Sequence, residues 1–202
     1  MISNDPAPTD RQFLFVLGSA RSDGNTEQLA RLAAERLPAS VGQRWLRLTD
    51  LPLEPFDDIR HTGDGTYPEL TGNSRELFEA TVGATDLVIV SPLYWYTLST
   101  SVKLYLDHWS GWFRAPGTDF RARMKDRTLW GVTSHSGNPS DADPLIGTLR
   151  LTGDYMGMHW GGVLLGTGGR PGDVQRDELA LAEAETFFTG TGFTGTSLTG
   201  AS

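Results

Sequence analysis

Short apolar runs alternate with segments of helical period along most of this chain, and that alternation limits the possible folds more than any other feature. Phe13-Leu14-Phe15-Val16-Leu17 and Asp86-Leu87-Val88-Ile89-Val90-Ser91 are continuous rather than alternating, as expected of strands buried on both faces of a parallel sheet. Between them Asn25-Thr26 opens a helix that places Leu29, Leu32, Ala33 and Leu37 on one face and is closed by Pro38. Further strands are expected at residues 45–48, 128–133 and 160–165. Further helices are expected at 74–82, 98–112, 143–158 and 173–188, with Val102, Leu106 and Trp109 along one side of the 98–112 helix. Gly147 and Gly153 weaken the reading of 143–158.

Five strands joined by helical crossovers fit an α/β fold, a flavodoxin-like doubly wound five-stranded parallel sheet of order 2-1-3-4-5. Such sheets bind ligands outside the carboxyl ends of their strands, so the loops after strands one, three and four are where chemistry is expected. The 202 residues suit one domain over 12–188, with a flexible extension at 1–11 and a flexible Thr, Gly and Ser tail at 189–202. No repeat or second domain is visible. No run approaches the roughly 20 apolar residues that span a bilayer, and residues 1–10 carry no signal pattern, so the expected address is cytoplasmic with no membrane insertion.

The chain has no cysteine, which leaves redox chemistry to a bound cofactor rather than to a dithiol. Its net charge of −8 argues against nucleic acid as a partner. An anionic cofactor would therefore depend on local donors. The first loop, Gly18 to Thr26, offers them: it ends at a helix N-terminus, where free N–H groups and the dipole favour an anion, and Ser19, Arg21, Asn25 and Thr26 add side chains. Those donors suit a phosphate monoester. Helix capping by Asn25 and Thr26, with a solvated Arg21, explains the same residues about as well. The loop lacks the Lys-Ser/Thr pair of a nucleotide P-loop and the Gly-x-Gly-x-x-Gly of a dinucleotide fold.

The pattern Gly-Ser-x-Arg-x-x-Gly-Asn-Thr resembles the phosphate loop of the NADPH-dependent FMN reductase family. The loop Ser91-Pro92-Leu93-Tyr94-Trp95-Tyr96-Thr97 strengthens the resemblance. The family shows Pro-x-Tyr-Trp here, followed by a helix with Leu-Lys and then Asp; this chain has Val102-Lys103 and Asp107, a mild departure at Val102. The third loop, Ser134-His135-Ser136-Gly137-Asn138-Pro139, stands where the family borders the flavin pyrimidine edge, and His135 departs from its usual small residues. The resemblance covers residues 12–188.

The resemblance implies FMN as cofactor, NAD(P)H as co-substrate and hydride donor, a small-molecule electron acceptor such as a quinone or flavin, and a homodimer or homotetramer. It assigns the phosphate to Ser19, Arg21, Gly24, Asn25 and Thr26, and the flavin ring to Pro92, Leu93, Tyr94, Trp95, Ser134, His135, Ser136 and Gly137. No protein group is required as catalyst, because the flavin carries the hard chemistry. Two readings of His135 stay open: a donor to flavin O2, or a solvated loop histidine. Packing or an interface is the alternative for Tyr94, Trp95 and Tyr96. Trp109, Trp112 and Phe113 read either as core residues or, as the resemblance suggests and as is preferred here, as subunit-interface residues. A flavodoxin-type electron carrier and a flavin-free interaction module are the rival functions. The four histidines are too scattered to bind a metal, Asp141 and Asp143 have no evident third ligand, and Asp143 reads as a helix N-cap.

Overall fold

A computed structural model describes residues 11–189; the expected flexible segments at 1–11 and 189–202 lie outside it except for Arg11 and Thr189. The sheet has strands β1 (Gln12–Leu17), β2 (Gly42–Arg47), β3 (Asp86–Val90), β4 (Thr128–His135) and β5 (His159–Thr167), all parallel, in the expected order 2-1-3-4-5. The longer helices are α1 (Asn25–Ala34), α2 (Gly72–Gly83), α3 (Thr100–Trp112) and α5 (Asp143–Met156). Two shorter ones, α4 (Phe120–Met124) and α6 (Glu178–Ala184), complete the set among the described residues.

Successive strand side chains alternate between the faces, and both faces are covered. Leu14, Val16, Leu87, Ile89 and Leu129 pack with Leu77, Val102, Tyr105, Trp109, Trp112 and Leu149 from α2, α3 and α5. Phe13, Phe15, Val88, Val90, Trp130 and Val132 pack on the other side with Leu29, Ala30, Ala33, Ala180 and Phe188. Double coverage is why β1 and β3 read as unbroken apolar runs. Among the described residues no helix is long and apolar enough to cross a membrane.

The structure revises several expectations. β4 continues two residues beyond the expected end, so Ser134 and His135 are strand residues paired with Gly166 and Thr167. The helix expected at 173–188 is broken into a 3-10 turn, Asp173–Arg176, and the short α6, whose N-cap Asp177 accepts a hydrogen bond from the Ala180 N–H. Asp143 starts α5 inside its first turn instead of capping it, the N-cap being Ala142. Trp109 and Trp112 are core residues, not interface residues: both are buried and meet Tyr105 and Phe120 edge to face. Arg11 is held by the domain, with its Nε and Nη2 on the buried Asp86 carboxylate at 2.9 and 2.6 Å.

Candidate active site

At the carboxyl ends of β1, β3 and β4 lies a cleft of about 450 Å³, and every residue assigned above to a cofactor lines it. Tyr96, Asp141, Gly168 and Gly169 line it as well. The last two form a fourth wall, and the Gly-Gly pair that follows the last apolar strand is its only mark in the sequence.

The first wall begins at Gly18. A Cβ there would lie 2.3 Å from Val102 Cγ2 and 2.7 Å from Ser99 Oγ, so only glycine lets the loop turn against the start of α3. The Gly18 N–H donates to the Val90 carbonyl at 2.8 Å, and its own carbonyl accepts from Ser101 Oγ at 2.9 Å. Ser19 Oγ then accepts from the Arg21 N–H at 3.0 Å. The N-cap of α1 is Gly24, which has no side chain with which to satisfy the free N–H groups of the first turn. Those N–H groups and the positive end of the helix dipole belong to the buried Asn25, Thr26 and Glu27.

The Asn25 side chain has a role the sequence did not show. Its Nδ2 donates to the Arg170 carbonyl at 2.8 Å, and its Oδ1 accepts from the Val174 N–H at 3.4 Å. The carboxamide therefore ties the loop after β5 to α1, and what Asn25 presents to a ligand is its backbone. Gly168 makes this tie possible, since a Cβ there would sit 2.6 Å from Asn25 Nδ2. The hydroxyls of Thr26 and Ser134 lie 3.0 Å apart, joining the first wall to β4.

The second wall is a two-residue hairpin. The Tyr94 N–H donates to the Thr97 carbonyl at 3.0 Å, and the Thr97 N–H returns to the Tyr94 carbonyl at 3.1 Å. Between them Trp95 and Tyr96 have φ of 49° and 66°, the left-handed backbone of a type I′ turn that ordinarily carries Asn-Gly. Trp95 is 92% exposed, and Tyr94 and Tyr96 are also exposed, so intrachain packing does not account for these rings. Ser91 Oγ closes the loop by accepting from the Ser99 N–H at 2.9 Å.

At the third wall His135 is 5% exposed, which removes the solvated-loop reading. Its Nδ1 lies 2.9 Å from the Gly137 carbonyl, which can only accept, so Nδ1 carries a proton. In the neutral ring Nε2 is then an acceptor, with Thr167 Oγ1 at 3.5 Å. The histidine holds Ser136 and Gly137 in place through Nδ1. Asp141 Oδ2 accepts from the Asn138 N–H at 3.0 Å and supports the same turn. Among the described residues no group of three acidic or histidine side chains is placed to hold a metal.

A helix N-terminus without a side-chain cap, hydroxyls at Ser19, Thr26 and Ser134, and a slot bordered by aromatic rings fit a phosphate monoester joined to a flat ring system. The doubly wound sheet and this cleft define a flavodoxin-like protein of the kind that carries a flavin nucleotide. Residues 12–160 match the NADPH-dependent FMN reductase family, and the chain belongs to that family. A Bacillus subtilis protein is 32% identical over 171 residues, covering 84% of this chain and 92% of its own; its name, NAD(P)H-dependent FMN-containing oxidoreductase YwqN, is itself provisional. The Trp repressor binding protein of Bacillus subtilis superposes with a TM-score of 0.69 at 27% identity, covering 87% of this chain and 97% of its own. An NAD(P)H:quinone oxidoreductase from Methanothermobacter marburgensis shares the fold, with a TM-score of 0.62 at 18% identity over 86% of this chain and 91% of its own.

Proposed function

We propose that this member of the family uses FMN in the cleft to pass electrons from NAD(P)H to a small planar acceptor such as a quinone or a flavin. The observation that carries the reading is the α1 N-terminus without a side-chain cap, opening on a cleft whose other walls are flat rings and hydroxyls. FMN, when bound, supplies the hydride and electron chemistry. The chain's own residues bind and orient it. The N–H groups of the first turn of α1, with Ser19, Arg21, Gly24 and Thr26, hold the phosphate. Pro92, Leu93, Tyr94 and Trp95 border one side of the ring, and Ser134, His135, Ser136 and Gly137 border its edge. The exposed rings of Tyr94, Trp95 and Tyr96 stand at the rim, where a planar acceptor can stack and water is kept away. Other exposed apolar side chains, Leu151 and Tyr155 of α5 and Leu179 of α6, are what support assembly as a homodimer or homotetramer.

The test is to purify the protein, load it with FMN and mix it anaerobically with NADH and with NADPH. Rapid bleaching, followed by reoxidation on adding a quinone, is expected. A protein that takes up no FMN ends the proposal. Uptake without bleaching by either nicotinamide leaves an electron carrier in place of the enzyme.

A further inference from the structure

Beneath the first loop, on the side away from the cleft lining, lies a group of charges that the binding residues do not include. Arg47 is the last residue of β2, its side chain is 17% exposed, and it does not line the cleft. Its Nη1 donates to two carbonyls of the loop, Ser19 at 3.1 Å and Arg21 at 2.9 Å. Its Nη2 donates to Glu27 Oε2 at 2.5 Å. Glu27, in the first turn of α1, is buried and uses both oxygens: Oε1 accepts from Arg31 Nε and Nη2 at 3.0 and 2.7 Å, and Oε2 also accepts from the Asp23 N–H at 3.3 Å. Arg31 is steadied in turn over the Trp45 ring, 4.3 Å from its centroid.

These bonds set which way the loop's donors face. All the peptides here are trans, so each N–H points opposite to the carbonyl of the same peptide unit. Drawing the Ser19 and Arg21 carbonyls onto Arg47 turns the N–H groups of Ala20 and Ser22 the other way. The intervening N–H groups are already satisfied within the loop, Arg21 by Ser19 Oγ and Asp23 by Glu27. Among the described residues, the N–H groups of Ser19, Ala20, Ser22 and Gly24 remain as the loop's free donors ahead of the helix. Backbone N–H groups close together in a turn and directed to one side form an anion-binding concavity.

Charge points the same way. A carboxylate in the first turn of a helix complements the dipole, but a phosphate dianion bound at the same helix end would be repelled by it. Two guanidiniums on one carboxylate leave a single net positive charge beneath the loop, in a molecule whose total is −8.

We infer that Arg47, working with Glu27, is a positioning residue for phosphate recognition: it orients the N–H groups of the first loop toward the phosphate of the cofactor and turns the local field positive. This inference rests on the FMN reading of the cleft and deepens it, because it predicts that the phosphate, not the flavin ring, is what Arg47 lets the protein detect.

The experiment compares FMN with riboflavin, which has the same ring and no phosphate. Flavin-free wild type, Arg47→Gln and Arg47→Lys are titrated with each and followed by flavin fluorescence. Wild type is expected to prefer FMN strongly. Arg47→Gln is expected to weaken FMN by about tenfold or more while riboflavin changes by less than about twofold, and Arg47→Lys to recover part of the FMN affinity. Equal losses for both flavins in the two variants would show a purely structural arginine and overturn the inference. So would unchanged FMN binding in Arg47→Gln. Wild type that binds neither flavin would instead remove the cofactor reading itself, which keeps the two failures apart.

Discussion

Replacing Trp95 by asparagine is expected to stabilise the flavin-free protein. The backbone there has φ of 49°, a conformation that costs an ordinary L residue roughly 1–2 kcal/mol and that asparagine adopts more readily. Removing the indole has little opposing cost, because the side chain is 92% exposed. Full burial of a large side chain is worth about 1.5–3 kcal/mol, so the small area that this indole covers contributes only ~0.2 kcal/mol. The net gain should be about 1 kcal/mol, which in a domain of this size raises Tm by about 2–4 °C. Thermal unfolding of flavin-free wild type and Trp95→Asn, followed by circular dichroism, measures it. The same substitution removes a ring from the rim, so flavin reoxidation by a quinone should slow in the FMN-loaded variant. That opposition of stability and activity is the signature of strain kept at a functional site. A Tm equal to or below that of wild type would refute the idea that the hairpin stores strain.

Other positions give independent tests. Gly18→Ala should destabilise by about 1–3 kcal/mol and abolish FMN uptake, since the new methyl collides with Val102 and Ser99; a melting curve and a flavin titration check both. Asn25→Ala should cost about 1–3 kcal/mol by leaving the Arg170 carbonyl and the Val174 N–H without their partner, and hydrogen exchange should rise across residues 168–174. Burial pushes the Glu27 carboxyl up, but the hydrogen bonds from Arg47 and then Arg31 outweigh it and hold the group below its ordinary 4.5. A carboxyl whose folded value is depressed contributes stability that is present above its unfolded value and is lost as pH falls through the folded one. Urea midpoints should therefore drop below pH 4.5 more steeply in wild type than in Glu27→Gln.

The sheet order was legible because β1 and β3 are buried on both faces and their apolar runs are unbroken, a pattern that depends on no distant residue. The end of β4 was not legible: Ser134 and His135 are polar and look like loop, yet the ladder to Gly166 and Thr167 extends through them. The helix expected at 173–188 failed for a related reason, as Asp177 draws the Thr167 N–H at 2.7 Å and restarts the helix at Glu178. At the cleft, local motifs found the residues of the first three walls. They could not show that the Asn25 side chain faces away to Arg170, or that Arg47 reaches under the loop from β2, because both depend on partners far away in sequence. For Trp109 and Trp112 the residues allowed a core or an interface, since aromatic content does not separate the two, and the resemblance tipped the choice to the interface that their burial rules out.

The tie between Arg11 and Asp86 has a practical consequence for where this domain begins. Asp86 is buried at the amino-terminal edge of the sheet, where Arg11, Thr85 Oγ1 and Trp130 Nε1 all donate to its carboxylate. Trimming the polypeptide to start at Gln12 would keep every strand and yet leave that carboxylate without its counter-charge beneath the sheet. Such a shortened protein should melt earlier while the cleft, at the opposite pole, keeps the same walls.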